Sequence, residues 1–475
     1  MSGRFRIRTY GCQMNVHDSE KIANLLYHHR WSEASGEESA DLLVINTCSI
    51  REKAEHRLYS DLGKLRAWKR AGPGRVLGVG GCVAQQEGDA LLRRFPHLDF
   101  VFGTHNLRRV PAMVEGARAG TREARTGETR SLERFDLPER HPDYPAPTPG
   151  RAFVTVMEGC DMFCSFCIVP LTRGREVSRP AAGILEEADS LVRRGVREIT
   201  LLGQTVNAYG RHDARRGRSA AAGTLPFARL LGRLAERPGL ERIRYTSPHP
   251  LFFDAELIAA HGELGPLCPH VHLPAQSGSD RVLARMRRRY GADDFRRIAD
   301  GLRAARPDLV LTTDLIVGHP GESEADFRAT LELVRSVGFA DAFCFKYSPR
   351  PGTRAAEETG EAVAGSRAQE RLEELQELVR SLTLAAHRAR VGTRTEVLVE
   401  GPSRRGAGQL TGRDPYHRVV NLDAAEAGLD PAAAAGLLVP VEIVEATPHS
   451  LIGSAAPPRP ATGRRDLVSP GVPIG

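Results

Sequence analysis

Ala152-Phe-Val-Thr-Val-Met-Glu158-Gly-Cys160-Asp-Met-Phe-Cys164-Ser-Phe-Cys167 decides the reading of the chain. An apolar run with a strand's composition stops at Glu158–Gly159, and three thiols then fall within eight residues. Spacings of three and two residues between the cysteines let one loop wrap a single metal centre. Soft thiolates select zinc or iron–sulfur clusters. A structural zinc site needs a fourth ligand, and neither Cys nor His follows at close spacing. Three thiolates on a four-iron cluster instead leave one iron open to bind something else. Phe163 and Phe166 are expected to shield that cluster and tune its potential.

The strand that ends at this loop opens a series. Ala152–Glu158, Arg197–Gly203, Glu241–Ser247, Pro269–Pro274, Leu309–Val317 and Phe339–Tyr347 read as strands, with helical patterns such as Gly183–Arg194, Asp280–Arg289 and Glu324–Val337 between them. Six βα repeats predict a parallel sheet curved into a partial (β/α)6 barrel, about two units short of a full one. The barrel with a trailing charged helix over 365–390 is assigned residues 150–390.

Residues 1–118 form a second α/β pattern. Phe5–Tyr10, Leu42–Asn46, Val76–Val79 and Phe100–Phe102 read as strands, and His17–His29, Glu52–Trp68 and Ala84–Phe95 as helices, which predicts a parallel α/β domain. The charged, proline-rich stretch 119–149 reads as a linker. Residues 391–455 return to short β-like runs (Thr395–Glu400, Val439–Glu445) with glycine turns and suggest a small β-barrel. The tail 456–475, rich in Pro, Arg and Gly, is expected to be disordered.

The composition fits this division. At 475 residues the chain has room for two to four domains. No apolar run approaches the roughly 18 residues of a membrane span, and Met1–Tyr10 lacks the core of a signal peptide, so a cytoplasmic protein is expected. The net charge of +7 is compatible with a polyanionic partner but does not establish one. In a reducing cytosol, eight cysteines point to metal binding or catalysis before disulfides.

A second triad is spread along the first domain. Cys12, Cys48 and Cys82 each follow a strand, as Arg8-Thr-Tyr-Gly-Cys12, Ile45-Asn-Thr-Cys48 and Val79-Gly-Gly-Cys82. Strand C-termini of a parallel sheet share one edge, where α/β folds bind ligands. Three cysteines at equivalent strand ends therefore converge without a local motif. The other reading of each thiol alone is a buried core cysteine; repetition of the placement favours a second cluster. Cys268 and Cys344 lack such partners and read as core or surface thiols.

These residues closely resemble the methylthiotransferases of the radical S-adenosylmethionine (SAM) superfamily, and among them the branch acting on N6-dimethylallyladenosine in tRNA. The resemblance is carried by Thr9-Tyr-Gly-Cys-Gln-Met-Asn15, Asn46-Thr-Cys-Ser-Ile-Arg-Glu-Lys-Ala54, Gly81-Cys-Val-Ala-Gln-Gln86, Cys164-Ser-Phe-Cys-Ile-Val-Pro170 and Thr172-Arg-Gly-Arg-Glu-Val-Ser-Arg179. Leu201-Leu-Gly-Gln-Thr-Val-Asn207, His270-Val-His-Leu-Pro-Ala-Gln-Ser-Gly-Ser279 and Tyr347-Ser-Pro-Arg-Pro-Gly-Thr353 extend it, from about residue 5 to 453. It implies a methylthiotransferase N-terminal domain, a radical SAM core and a C-terminal TRAM domain. It also implies that Cys160, Cys164 and Cys167 hold a SAM-cleaving [4Fe-4S] cluster and that Cys12, Cys48 and Cys82 hold an auxiliary one.

In that family one SAM methylates a sulfur on the auxiliary cluster, and a second yields the radical that removes hydrogen from adenine C2. The nucleoside is adenosine 37, beside the anticodon. The implied cofactors are two [4Fe-4S] clusters and SAM. The implied partners are the tRNA anticodon stem-loop and a reductant such as flavodoxin or ferredoxin; no membrane is involved, and the chain is expected to be a monomer. The sister activity on N6-threonylcarbamoyladenosine, methylthiolation of a ribosomal-protein aspartate, and a noncatalytic iron–sulfur RNA-binding role are the alternatives. His319 stands where the family often has Phe, and Leu171 where Tyr is frequent.

At the C-terminal rim of the barrel, Gln204, Asn207, Gln276 and Ser277 are candidate SAM contacts, with Gly318 beside them. Arg285, Arg287, Arg288 and Arg289 with Tyr290, and Arg404, Arg405, Arg413 and Arg418, are candidate phosphate contacts of the kind that position RNA without reading bases. Arg211–Arg218 reads as a basic surface loop.

Overall fold

Six parallel strands form the first sheet: β1 (Gly3–Tyr10), β2 (Trp31–Glu33), β3 (Leu42–Thr47), β4 (Val76–Gly81), β5 (Phe100–Phe102) and β6 (Glu123–Arg125), in the order β2-β1-β3-β4-β5-β6. They belong to a computed structural model that describes residues 2–457 apart from 50–51, 129–131, 146–147, 216, 218–221, 359–360 and 405. Every residue of β3 and β4 is buried, because helices cover both faces of the sheet. Leu58, Leu62, Leu65 and Trp68 of helix Glu52–Arg70 pack on one face. Ile22 and Leu26 of helix Gln13–His28, with Val110 and Met113, pack on the other.

The stretch read as a linker contributes β6, which pairs with β5 and extends the sheet beyond residue 118. The helix expected over Ala84–Phe95 is two, Cys82–Glu87 and Asp89–Arg94, broken at Gly88.

The central barrel runs β7 (Arg151–Thr155), β8 (Met157–Glu158), β9 (Val177–Ser178), β10 (Glu198–Leu202), β11 (Arg242–Tyr245), β12 (His270–His272), β13 (Val310–Val317) and β14 (Asp341–Lys346). Short β8 and β9 pair with each other at the mouth. The remaining six form two parallel three-stranded sheets, β11-β10-β7 and β12-β13-β14. A single parallel bridge at Ile243–Leu267 carries the curve between them, and one at Gln276–Leu315 extends the β12–β13 pairing. The strands thus follow chain order, as right-handed βα crossovers require. Beyond the helices expected from sequence, Phe227–Ala235, Ala255–Glu263 and Ala292–Ala305 complete the outer layer.

Helix Gly365–Arg388 leads to a closed barrel, β15 (Arg394–Pro402), β16 (Gln409–Arg413), β17 (Val419–Asp423), β18 (Leu438–Ala446) and β19 (Leu451–Ala455), ordered β15-β16-β17-β19-β18. It docks on the floor of the central barrel, at the N-terminal strand ends. Arg242 donates to the carbonyls of Arg413 and Glu396, and Arg244 to that of Asp414. Glu198 lies between these guanidiniums, 3.1 Å from Arg244 Nε and 3.7 Å from Arg242 Nη1. The tail expected to be disordered falls, from residue 458 on, outside the described residues.

Candidate functional site

The register of the first sheet builds one thiol triad. Tyr10 of β1 pairs with Thr47 of β3, and Thr47 with Gly81 of β4. Cys48 and Cys82 directly follow the last two, and Cys12 stands two residues past Tyr10. Three cysteines therefore leave three adjacent strands at one level, on strands spaced about 4.8 Å apart. Gly11 (φ +132°) makes this possible, since a Cβ there would lie 2.3 Å from Cys48 Cβ. Gly81 (φ +94°) does the same beside Thr47, whose carbonyl would meet a Cβ at 2.3 Å.

Polar side chains brace the triad from below. Asn46 Nδ2 donates to Asn15 O (2.8 Å) and Ser19 Oγ (3.0 Å), while Asn15 Nδ2 donates to Thr47 O (3.2 Å). Cys12 Sγ–H donates to Asn15 Oδ1 at 3.2 Å. A hydrogen bond with Cys48 draws the Cys12 thiol down to about 6, against burial and with help from the charge of Arg173. Burial pushes the Cys82 thiol up, and Arg173 opposes the shift. Nothing local in the sequence marks Asn15 or Arg173 for these roles. Only the fold brings Arg173, from the barrel, to cysteines of another domain.

The second triad lies in the loop after β8. Cys160 and Cys164 are buried with Met162 and Val169, and Phe166, Cys167 and Phe252 pack against them. Cys160 Sγ lies 3.1 Å from Thr205 Oγ1. Burial raises Cys160 to about 11, and burial with the neighbouring Cys164 and Cys160 raises Cys167 to about 12. Such thiols stay protonated in the metal-free site and release their protons when a metal binds. Phe166 shields the thiols as expected. Phe163 does not: its φ of +50° turns the ring outward, 42% exposed, beneath the Arg175 guanidinium.

Several expected RNA contacts prove to be internal. Positive φ at Arg287 and Arg289 alternates the chain, leaving those two exposed and driving Arg288 inward, 6% exposed. Arg288 donates to Cys164 Sγ (3.5 Å), Tyr290 Oη (3.0 Å) and Pro274 O (3.2 Å). Arg285 pairs with Glu358 and Glu361. Arg418 is buried against Ala340 O and His387, and Arg413 pairs with Glu400. Arg404 is exposed, and Arg405 lies outside the described residues. A basic run is ordinarily solvated surface; here Arg288 and Arg418 are buried and donate to the carbonyls of Pro274 and Ala340, while Arg285 and Arg413 pair with carboxylates.

The rim residues divide in the same way. Gln204 Oε1 accepts from Gly159 N, and its Nε2 is buried without a partner. Glu176 Oε1 and His249 Nε2 are buried and unpartnered too, the first beside Cys160. Asn207 commits both ends of its amide to the His249 backbone (3.0 and 2.8 Å). Ser277, fully buried, bonds Thr330 Oγ1 and the Ser279 N–H. Gln276 is buried at a φ of +71°, and its backbone bridges Asp314 and Ile316 across to β13. His319 is buried edge-on to Tyr347, and Leu171 is exposed. Cys344 packs on the helix side of the barrel, and Cys268 is buried beside Ile243.

Both triads suit iron–sulfur clusters. Each offers three thiols in a site shielded from solvent. The first also has a buried cation and the unpartnered hydroxyls of Thr47 and Ser49, the second three unpartnered polar atoms at its rim. Among the described residues no His, Cys, Asp or Glu group closes on a single ion, and a four-iron cube, which gives each thiolate its own iron, requires none.

A partial parallel barrel with Cys-x3-Cys-x2-Cys after its first strand defines a radical SAM protein, and residues 154–334 match the Radical SAM superfamily. Residues 4–103 match "Uncharacterized protein family UPF0004", and residues 388–456 the TRAM domain. The radical SAM methyltransferase TsrM from Kitasatospora setae, solved with cobalamin and a [4Fe-4S] cluster, shares the fold over 75% of this chain and 74% of its own (TM-score 0.55, 14% identity).

Curated relatives are much nearer. tRNA-2-methylthio-N(6)-dimethylallyladenosine synthase of Geobacter metallireducens is 49% identical over 95% of this chain and 98% of its own. The enzymes of that name from Jannaschia sp. (46%; 95% and 94%) and Acidithiobacillus ferrooxidans (47%; 96% and 98%) match over similar spans. The chain belongs to the family of tRNA-2-methylthio-N(6)-dimethylallyladenosine synthases.

Proposed function

We propose that this chain is a SAM-dependent radical enzyme that places a methylthio group on C2 of N6-dimethylallyladenosine at position 37 of tRNA. The observation that carries the reading is the pair of cysteine triads, one in a loop and one on three strand ends, set in a chain 49% identical to a named synthase. Cys160, Cys164 and Cys167 hold one [4Fe-4S] cluster, and Cys12, Cys48 and Cys82 a second. When bound, the clusters and SAM supply the one-electron chemistry that an aromatic C–H requires and the sulfur that replaces the hydrogen.

The chain's own residues bind and orient. Phe166 and Phe252 keep water from the loop thiols, and Thr205 and Arg288 fix Cys160 and Cys164. Gln204, anchored through its Oε1, directs its remaining amide donor toward SAM. Asn207 and Ser277 hold the rim loops that carry such contacts. Exposed Arg287 and Arg289 at the barrel and Arg404 on the closed barrel meet RNA phosphates. The enzyme works in the cytoplasm as a monomer with a flavodoxin- or ferredoxin-type donor; no described helix is long and apolar enough to cross a membrane.

The test is anaerobic reconstitution with dithionite, SAM and either an isopentenylated or a threonylcarbamoylated anticodon stem-loop RNA, followed by nucleoside mass spectrometry. A 2-methylthio product together with 5′-deoxyadenosine is expected. Product only on threonylcarbamoylated RNA, or no product with full iron loading, refutes the reading.

A further inference from the structure

Arg173 belongs to the central barrel by sequence and to the first domain by contact. It follows the short helix Val169–Thr172 and is 4% exposed. Its Nη2 donates to Asp18 Oδ2 at 2.6 Å, on the helix that begins just after Cys12. Its charge acts on the thiols of both Cys12 and Cys82, and the short helix it follows packs on the helix that begins at Cys82.

Its backbone is held from both sides. The first domain supplies His105 Nε2, 2.9 Å from Arg173 O, and Thr104 Oγ1, which donates to Thr172 O at 2.6 Å. On the other side, Cys160 N donates to Gly174 O at 3.1 Å. Two consecutive residues therefore bear on both triads, Gly174 through its carbonyl and Arg173 through its charge.

We propose that Arg173 is a positioning residue that joins the two triads and sets the reduction potential of a cluster on Cys12, Cys48 and Cys82. The inference rests on the reading of those cysteines as cluster ligands. Three thiolates and the Asp18 carboxylate gather negative charge where little water reaches. A guanidinium keeps its proton there, and low local polarity strengthens its effect. Asp18 holds Arg173 in place and also partly cancels it, with Oδ1 left unpartnered. Reduction adds an electron to this site. Loss of the Arg173 charge must disfavour that step, and loss of the Asp18 charge must favour it.

The opposite signs make the test. In the full-length chain, Cys160, Cys164 and Cys167 are changed to Ala so that only the other triad can assemble a cluster. Arg173→Met, Arg173→Lys and Asp18→Asn are then made in that parent, reconstituted anaerobically, assayed for iron and titrated against potential by electron paramagnetic resonance. A parent with about four irons is expected. Arg173→Met should shift the midpoint to more negative potential, Asp18→Asn to more positive, and Arg173→Lys should stay near the parent. Shifts of the same sign, or none, overturn the inference and leave the cluster assignment standing. A parent that takes up no iron overturns the assignment itself, and the inference with it. If Arg173→Met takes up no iron, Asp18→Asn decides alone: a positive shift upholds the role, and any other result ends it.

Discussion

Replacing Gly11 with Ala should empty one triad and spare the other. The added Cβ would sit 2.3 Å from Cys48 Cβ and 2.9 Å from Asn15 Oδ1. Carbon atoms in contact stand about 3.8 Å apart, so Cys12 and Cys48 must separate by roughly 1.5 Å. A φ of +132° adds strain for any residue with a side chain, on the order of 1–3 kcal/mol. Metal–ligand distances tolerate only about 0.2 Å, so the displacement is several times what a cluster accepts. The atoms nearest the added Cβ belong to Cys48 and Asn15, not to the loop at Cys160. The variant should fold, fall from about eight irons per chain to about four, and lose methylthiolation while still forming 5′-deoxyadenosine from SAM. Iron and sulfide analysis beside a SAM-cleavage assay checks this. Full iron content in Gly11→Ala would refute the claim that close approach at the strand ends builds the site.

Two further outcomes concern the scaffold. Arg242, Arg244 and Arg151 hold the buried Glu198 carboxyl below its usual range despite the opposing effect of burial. Glu198→Gln leaves Arg242 and Arg244 without their carboxylate at the junction with the closed barrel, which should cost about 3–5 kcal/mol in denaturant unfolding and open residues 389–394 to protease; a loss under about 1 kcal/mol would remove Glu198 from that role. Burial, with Arg306 nearby, pushes His261 down to about 3, so it is neutral in the fold and protonates below about 6.5 only when unfolded. Its stabilising contribution is whole above that pH and fades as pH falls toward 3, by about 1.4 kcal/mol at pH 5.5, and His261→Gln should lose this part of the pH dependence when both chains are unfolded at pH 7.5 and 5.5.

The sequence made different parts of this molecule legible for different reasons. Strand-end cysteines could be read because a parallel sheet turns periodicity into position: once β1, β3 and β4 are placed, Cys12, Cys48 and Cys82 must share an edge. The loop triad needed no fold at all, since its spacing is local. Arginines resisted the same treatment. Arg288 and Arg418 carry the same charge in sequence as Arg404, yet two are buried and one is exposed. What sorts them is the supply of carbonyls and carboxylates at surfaces that meet only after the domains assemble. Arg173 is the clearest case, because its partners Asp18 and His105 lie 155 and 68 residues upstream. The same cause explains β6: three residues, Glu123–Arg125, have no periodicity to detect, and they form a strand because β5 presents an open edge. Local chemistry and repeated placement are therefore written in the chain, while the electrostatic setting of the thiols is fixed only when one domain closes on the other.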